Sequence, residues 1–128
     1  MIGLEEALAI HREVVAATGG SHGVRDMGGL ESALFRPYAS FGGVGLYPDA
    51  VDKAAALLES IVKNHPFLDG NKRAGYMLMR LTLRTYGLDL QAEDEEEYAL
   101  IIQVATGNLD VDGIRAWFAG RARPCPQR

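Results

Sequence analysis

The stretch Ala50–Tyr86, AVDKAAALLESIVKNHPFLDGNKRAGYMLMRLTLRTY, decides the fold. Its first part places Val51, Ala54, Ala55, Leu58, Ile61 and Val62 at i, i+3, i+4 and i+7 spacing, which puts them on one helical face. Asp49 precedes the run as an N-cap, and the helix is expected to end near Asn64. A second helix begins near Asn71 and runs to Tyr86, with Gly87 as the C′ residue that closes it. That helix is apolar on nearly every side, through Tyr76, Met77, Leu78, Met79, Leu81 and Leu83, a pattern that predicts the buried centre of a domain. Gly75 sits inside it at a cost of roughly 1 kcal/mol against alanine, so a close packing contact is expected there. Between the helices lies His65-Pro66-Phe67-Leu68-Asp69-Gly70-Asn71-Lys72-Arg73.

Working outward, Leu4, Leu8, His11 and Val15 recur at helical spacing and predict a helix over residues 4–18, ended by Gly19-Gly20. Ser21 to Gly29 reads as a polar, glycine-rich loop, and Leu30 to Phe35 as a short helix stopped before Pro37. In residues 39–49, Phe41-Gly42-Gly43-Val44-Gly45-Leu46-Tyr47-Pro48 alternates glycine with large apolar groups, which suits a short hairpin or an extended flap. Asp94 to Thr106 reads as a helix with acids in its first turn and Gly107 at its end. Val111 to Ala119 is a last short helix, and residues 121–128 are expected to be a flexible tail. The fold class is all-α: a compact domain over residues 1–120 with about six helices and one flap or hairpin.

A chain of 128 residues, 48% hydrophobic, can bury one core without a disulfide or structural metal. Its single cysteine, Cys125, cannot pair within the chain and suits a reducing compartment. Met1 to Glu6 carries acids where an export signal carries bases, and no apolar run approaches the roughly 20 residues of a membrane span. A cytoplasmic chain without a membrane partner is expected. The formal charge of −4, with acids gathered at Glu93 to Glu97, argues against non-specific nucleic-acid binding, which needs a basic face. It leaves a local anion site open.

The segment 65–73 concentrates the polar chemistry. Gly70 permits a tight turn and close approach of a ligand to the backbone. The first N–H groups of the helix that follows have no internal partner, and the helix dipole adds positive charge at that end, so it is suited to an anion. Lys72 and Arg73 add two full charges where helices ordinarily prefer acids. Asp69 offers a hard oxygen for Mg²⁺ shared with phosphates. His65 offers an imidazole able to take a proton from an attacking hydroxyl. These parts suit phosphoryl transfer. Composition alone equally allows a polar helix connection, with Asp69 as a cap and Lys72 and Arg73 solvated.

HPFLDGNKR resembles the signature H-P-F-x-D/E-G-N-x-R of the Fic/Doc superfamily, and its lysine before the arginine resembles the death-on-curing branch. Further similarity lies at Gly19-Gly20, Val24-Arg25-Asp26, Gly29 to Leu34, Arg36-Pro37, Phe41-Gly42-Gly43, Leu46-Tyr47-Pro48, Lys53-Ala54-Ala55 and Ala105-Thr106-Gly107, and it covers residues 4–119. The resemblance implies a compact helical fold with the motif between two core helices. It further implies a toxin of a toxin–antitoxin pair that transfers the terminal phosphate of ATP to a hydroxyl of elongation factor Tu and so arrests protein synthesis. In that assignment His65 is the base and Asp69 holds Mg²⁺. Gly70 and Asn71 contact phosphate through backbone or amide, and Lys72 and Arg73 neutralise developing charge. Phe67 is a core anchor, and residues 41–48 hold a target peptide by strand addition, with a mobile surface loop as the equal alternative.

Most Fic relatives instead transfer AMP. They carry glycine at the place of Lys72 and a second arginine at the place of Tyr76, so both positions here depart from that pattern. AMP transfer and a non-catalytic nucleotide-binding module are the alternatives. A neutralising antitoxin is the expected partner. His11 and His22 are unassigned, and Arg25 and Asp26 are read as a structural pair or cap, with a reach into the site as the alternative.

Overall fold

The computed structural model describes residues 1–125. Helix α1 spans Leu4–Thr18, and α2 spans Met27–Phe35 and runs into a 3₁₀ turn at Arg36–Tyr38. Strands β1 (Ser40–Phe41) and β2 (Val44–Gly45) pair antiparallel as a hairpin. Helices α3 (Ala50–Asn64) and α4 (Asn71–Thr85) follow, then β3 (Leu88–Leu90), α5 (Asp94–Ala105), α6 (Val111–Ala119) and β4 (Ala122–Pro124). The described residues thus form six helices and two small antiparallel strand pairs, in keeping with the mostly helical expectation.

Helices α3 and α4 form the most extensive pair in the molecule. At their crossing a Cβ on Gly75 would lie 3.1 Å from Val62 Cγ2 and 3.2 Å from Ile61 Cγ2, so the glycine is where α4 presses onto α3. Two apolar clusters flank the pair. On one side Ala54, Ala55, Leu58, Val62, Met79 and Leu83 pack against Leu100, Val104, Ile114 and Phe118 of α5 and α6. On the other Leu57, Ile61, Ala74 and Leu78 pack with Ala7, Leu30, Ala33, Leu34 and Phe67. Both clusters need α3 and α4, so the pair is the shared wall of the core.

Several details differ from the sequence expectations. The most buried helix is α3, whose Ala54-Ala55-Ala56 run lets neighbours approach on several sides, while α4 exposes Lys72, Arg73, Met77 and Arg84. Helix α2 begins at Met27, three residues before the expected Leu30, because Asp26 caps it by accepting a 2.9 Å hydrogen bond from Gly29 N–H. A Cβ on Gly29 would fall 2.6 Å from Asp26 Oδ2, so a glycine that reads as loop is what the cap requires. Asp49 occupies the N-cap position of α3, but its side chain makes no capping bond.

Within the expected loose segment from Arg121, Ala122–Pro124 form strand β4. Leu88, Asp89 and Leu90 pair with Pro124, Arg123 and Ala122, and Cys125 N–H donates to Gly87 O at 2.8 Å; residues 126–128 lie outside the described part. Asp89 anchors this corner through Arg80 (2.8 Å) and Arg84 (2.7 Å). The Arg80 guanidinium is the main cause that holds the Asp89 carboxyl down at about 2.

A carboxylate with a depressed folded-state pKa contributes stability that is complete above its ordinary value near 3.8 and disappears as pH falls toward about 2. Asp89→Asn is therefore expected to flatten the loss of stability between those pH values, as read from urea unfolding at stepped pH. Gly75→Leu is expected to lower unfolding free energy by about 2–3 kcal/mol through overpacking against Val62 and Ile61, measured by denaturant titration at neutral pH.

Candidate active site

The loop from α3 to α4 is fixed at every step. His65 closes α3 in the left-handed region, φ 51° and ψ 57°, the one non-glycine positive φ among the described residues. A side chain in that region costs of order 1 kcal/mol, which its surroundings must offset. Arg25 does so: its Nε donates to His65 O at 2.8 Å and its Nη2 to Asn64 O at 2.7 Å, capping the last carbonyls of α3. The main-chain N–H groups of Arg25 and Asp26 both donate to Pro66 O, and Leu68 N–H donates to Gly23 O. Val24 pairs with Phe67 as an isolated antiparallel bridge. Residues 23–26 thus brace one flank of the motif, and the structural reading of Arg25 and Asp26 holds.

Phe67 is the anchor, 1% exposed in the cluster beneath α2. The Asn71 amide grips its main chain from both directions, accepting from Phe67 N–H at 2.9 Å and donating to Phe67 O at 3.0 Å. The Asn71 side chain is therefore committed to the loop, which leaves its backbone N–H as the group that faces a ligand. His11 of α1 stacks on the Phe67 ring, centroids 3.9 Å apart and 4° from parallel, and its Nε2 lies 2.7 Å from Asp69 O. His11 was legible only as a polar residue on the same face as Leu4, Leu8 and Val15. Such a residue needs a buried partner, but sequence spacing does not say which.

Above this scaffold a cleft of about 570 Å³ is lined by Thr18, Gly19, Gly20 and the motif residues His65 and Leu68 to Arg73. The structure brings all six expected site residues, His65, Asp69, Gly70, Asn71, Lys72 and Arg73, to this one cleft. Gly70, φ 78°, turns the chain into α4 in a conformation that a side chain would strain. The first turn of α4 holds no acid, and among the described residues neither Lys72 nor Arg73 has a side-chain hydrogen bond or ion pair. Two exposed cations thus stand at the positive end of a helix without an ion pair among the described residues, an arrangement suited to a phosphate chain.

Asp69 holds one carboxylate oxygen, Oδ2, on Ser21 N–H at 2.8 Å, and its other oxygen has no hydrogen-bond partner among the described residues. No group of three or more His, Cys, Asp or Glu side chains that could hold a metal occurs among them either. A Mg²⁺ ion here would have this single carboxylate and take its remaining ligands from phosphate and water, the habit of Mg²⁺ in nucleotide sites.

Tyr76 does not face the cleft. It packs against the cluster of α5 and α6, its ring beside Arg80, and burial followed by the Glu97 carboxylate pushes its phenol above the usual range. The hydroxyl nevertheless makes no hydrogen bond of acceptable geometry among the described residues. The β1–β2 hairpin has Gly42 and Gly43 at φ 60° and 80°, the twist a two-residue hairpin turn demands, and Phe41 and Val44 stand out into solvent. Its far side is fastened by Arg36, which bonds Tyr47 Oη, Glu59 and Ser60, and by Lys53, which bonds Tyr47 O and Pro48 O. Exchanging Asn71 for aspartate puts an oxygen against the Phe67 carbonyl and leaves that buried group unpaired; a loss of about 1–3 kcal/mol is expected in a thermal melt.

Residues 2–83, which include the whole motif, match the model of the Fic/DOC family. Toxin Doc of Mycolicibacterium smegmatis is 44% identical over 108 residues, covering 83% of each chain. A Fido domain-containing protein of Dictyostelium discoideum is 40% identical over 55 residues, 41% of this chain and 38% of that one. On the family match and on the similarity across most of both chains, the protein belongs to the Fic/DOC family.

Proposed function

We propose that this protein is the toxin of a toxin–antitoxin pair and that it transfers the terminal phosphate of ATP to a hydroxyl of a translation factor, elongation factor Tu or a close equivalent. The observation that carries the reading is the pair of unpaired cations Lys72 and Arg73 at the acid-free start of α4, in one cleft with His65 and Asp69. The similarity to Toxin Doc supports the toxin assignment. Lys72 in the variable place of the motif, and Tyr76 turned into the core, favour phosphate over AMP as the group moved. A lysine there fills the space and adds the charge that glycine would leave to the phosphates, and no second arginine clamps the far phosphate.

In the proposed reaction the target hydroxyl oxygen attacks the γ-phosphorus and forms a new P–O bond. The bond from that phosphorus to the β,γ-bridging oxygen breaks, ADP leaves with the electron pair, and the hydroxyl proton passes to His65. The N–H groups at the start of α4 orient the phosphates, and Lys72 and Arg73 meet the charge that develops on the transferred group. Asp69 would hold Mg²⁺, which would supply further neutralisation of the nucleotide. The exposed β1–β2 hairpin offers an edge to which an extended target segment adds as a strand. The antitoxin is expected to act through a disordered segment that folds as a helix in a groove of this chain. No helix of the described residues is long and apolar enough to cross a membrane.

Incubation with Mg²⁺, ATP and elongation factor Tu, followed by intact mass measurement, is expected to show a gain of one phosphate. His65→Ala is expected to lower the rate by at least about a hundredfold, the usual worth of a general base. A gain of one AMP would overturn the kinase reading. Unchanged turnover in His65→Ala would remove His65 from its role.

A further inference from the structure

We propose that α1 and its exit loop position the carboxylate of Asp69, with His11 as the positioning residue. The inference rests on the reading of Asp69 as the Mg²⁺ ligand and deepens it. Three separate features of residues 11–21 converge on this one side chain and its main chain. His11 Nε2–H donates to Asp69 O at 2.7 Å. Ser21 N–H donates to Asp69 Oδ2 at 2.8 Å. Gly20, φ +104°, lies so close that a Cβ on it would meet Asp69 Cβ at 3.1 Å and Cγ at 3.4 Å.

The burial of His11 also calls for a reason. At 2% exposure, an imidazole that served only to fill space against Phe67 would be better replaced by an apolar ring, because a buried polar group without a partner is costly. Its stack on Phe67 fixes the plane of the ring, and the plane fixes the direction of the Nε2–H bond. Phe67 in turn is held at both main-chain atoms by Asn71. The hydrogen bond to Asp69 O therefore has little freedom to move, and one carboxylate oxygen is held while the other is left for a ligand. Support of this kind around a metal-binding group commonly changes metal affinity by 10–100-fold when it is removed.

The experiment is calorimetric titration of the full chain with ATP, in Mg²⁺ and in EDTA, beside a thermal melt. His11→Phe keeps the stack and removes the donor; His11→Gln restores a donor. Ser21→Pro removes the second donor from an exposed loop and carries the test should His11→Phe fail to fold. His11→Phe and Ser21→Pro are each expected to reduce the gain in ATP affinity on adding Mg²⁺ by about tenfold, while affinity in EDTA stays within about twofold. His11→Gln is expected to recover the gain. A purely structural role would lower the melting temperature and leave the gain unchanged, and that result in either folded variant would overturn the inference. Absence of any Mg²⁺ gain in the unmodified chain would overturn the reading of Asp69 as a metal ligand, and the inference with it.

Discussion

At Gly75 the backbone of α4 lies so close to α3 that a Cβ there would meet the side chains of Val62 and Ile61 at 3.1 and 3.2 Å. Because both apolar clusters use this pair as their wall, the crossing sets where α5 and α6 lie on one side and α1 and α2 on the other. It also sets the start of α4. The six residues between the helices span a short gap whose two ends are immobilised by the core, so the loop has few conformations left. Protein interiors pack densely enough to transmit such a constraint without slack.

Within that gap the chain adopts conformations it would not choose alone. His65 takes a left-handed backbone, and Lys72 and Arg73 sit at the helix end that repels cations. Each is offset by groups from elsewhere: Arg25 on the carbonyls of Asn64 and His65, Asn71 on Phe67, and the burial of Ala74 and Leu78 behind the cations. Local features that conflict with folding rules concentrate where chemistry is expected. Here they share one cleft, and the remainder of α4 follows ordinary helix rules down to its glycine C′ residue.

The polar supports differ in reach. Arg25, Asn71 and His11 act on the backbone of the loop, whereas Ser21 acts on the carboxylate of Asp69, the residue proposed to hold the metal. The flap is held by another set, Arg36 and Lys53 on Tyr47 and Pro48, with its apolar tip free. Rigid motif and fastened flap together suit the proposed reaction, in which the nucleotide would meet preset groups and the target would adapt at the edge of the hairpin.

The helices α1, α3, α4, α5 and α6 were legible because their apolar spacing, glycine stops and acidic first turns are local properties that act within a few residues. The motif was legible through its resemblance to the Fic/Doc signature, since its residue types alone equally suited a polar helix connection. What only the tertiary structure decided are the features that depend on distant partners. The start of α2 depends on how closely Gly29 lets Asp26 approach. The β3–β4 pair joins segments some thirty residues apart, and short strands carry no periodicity of their own. The greater burial of α3 over α4 comes from small alanines that admit neighbours on several faces. His11 acquires its partner only when α1 is laid across the motif loop, since a buried polar group declares its need for a hydrogen bond in the sequence but finds the acceptor only in the fold.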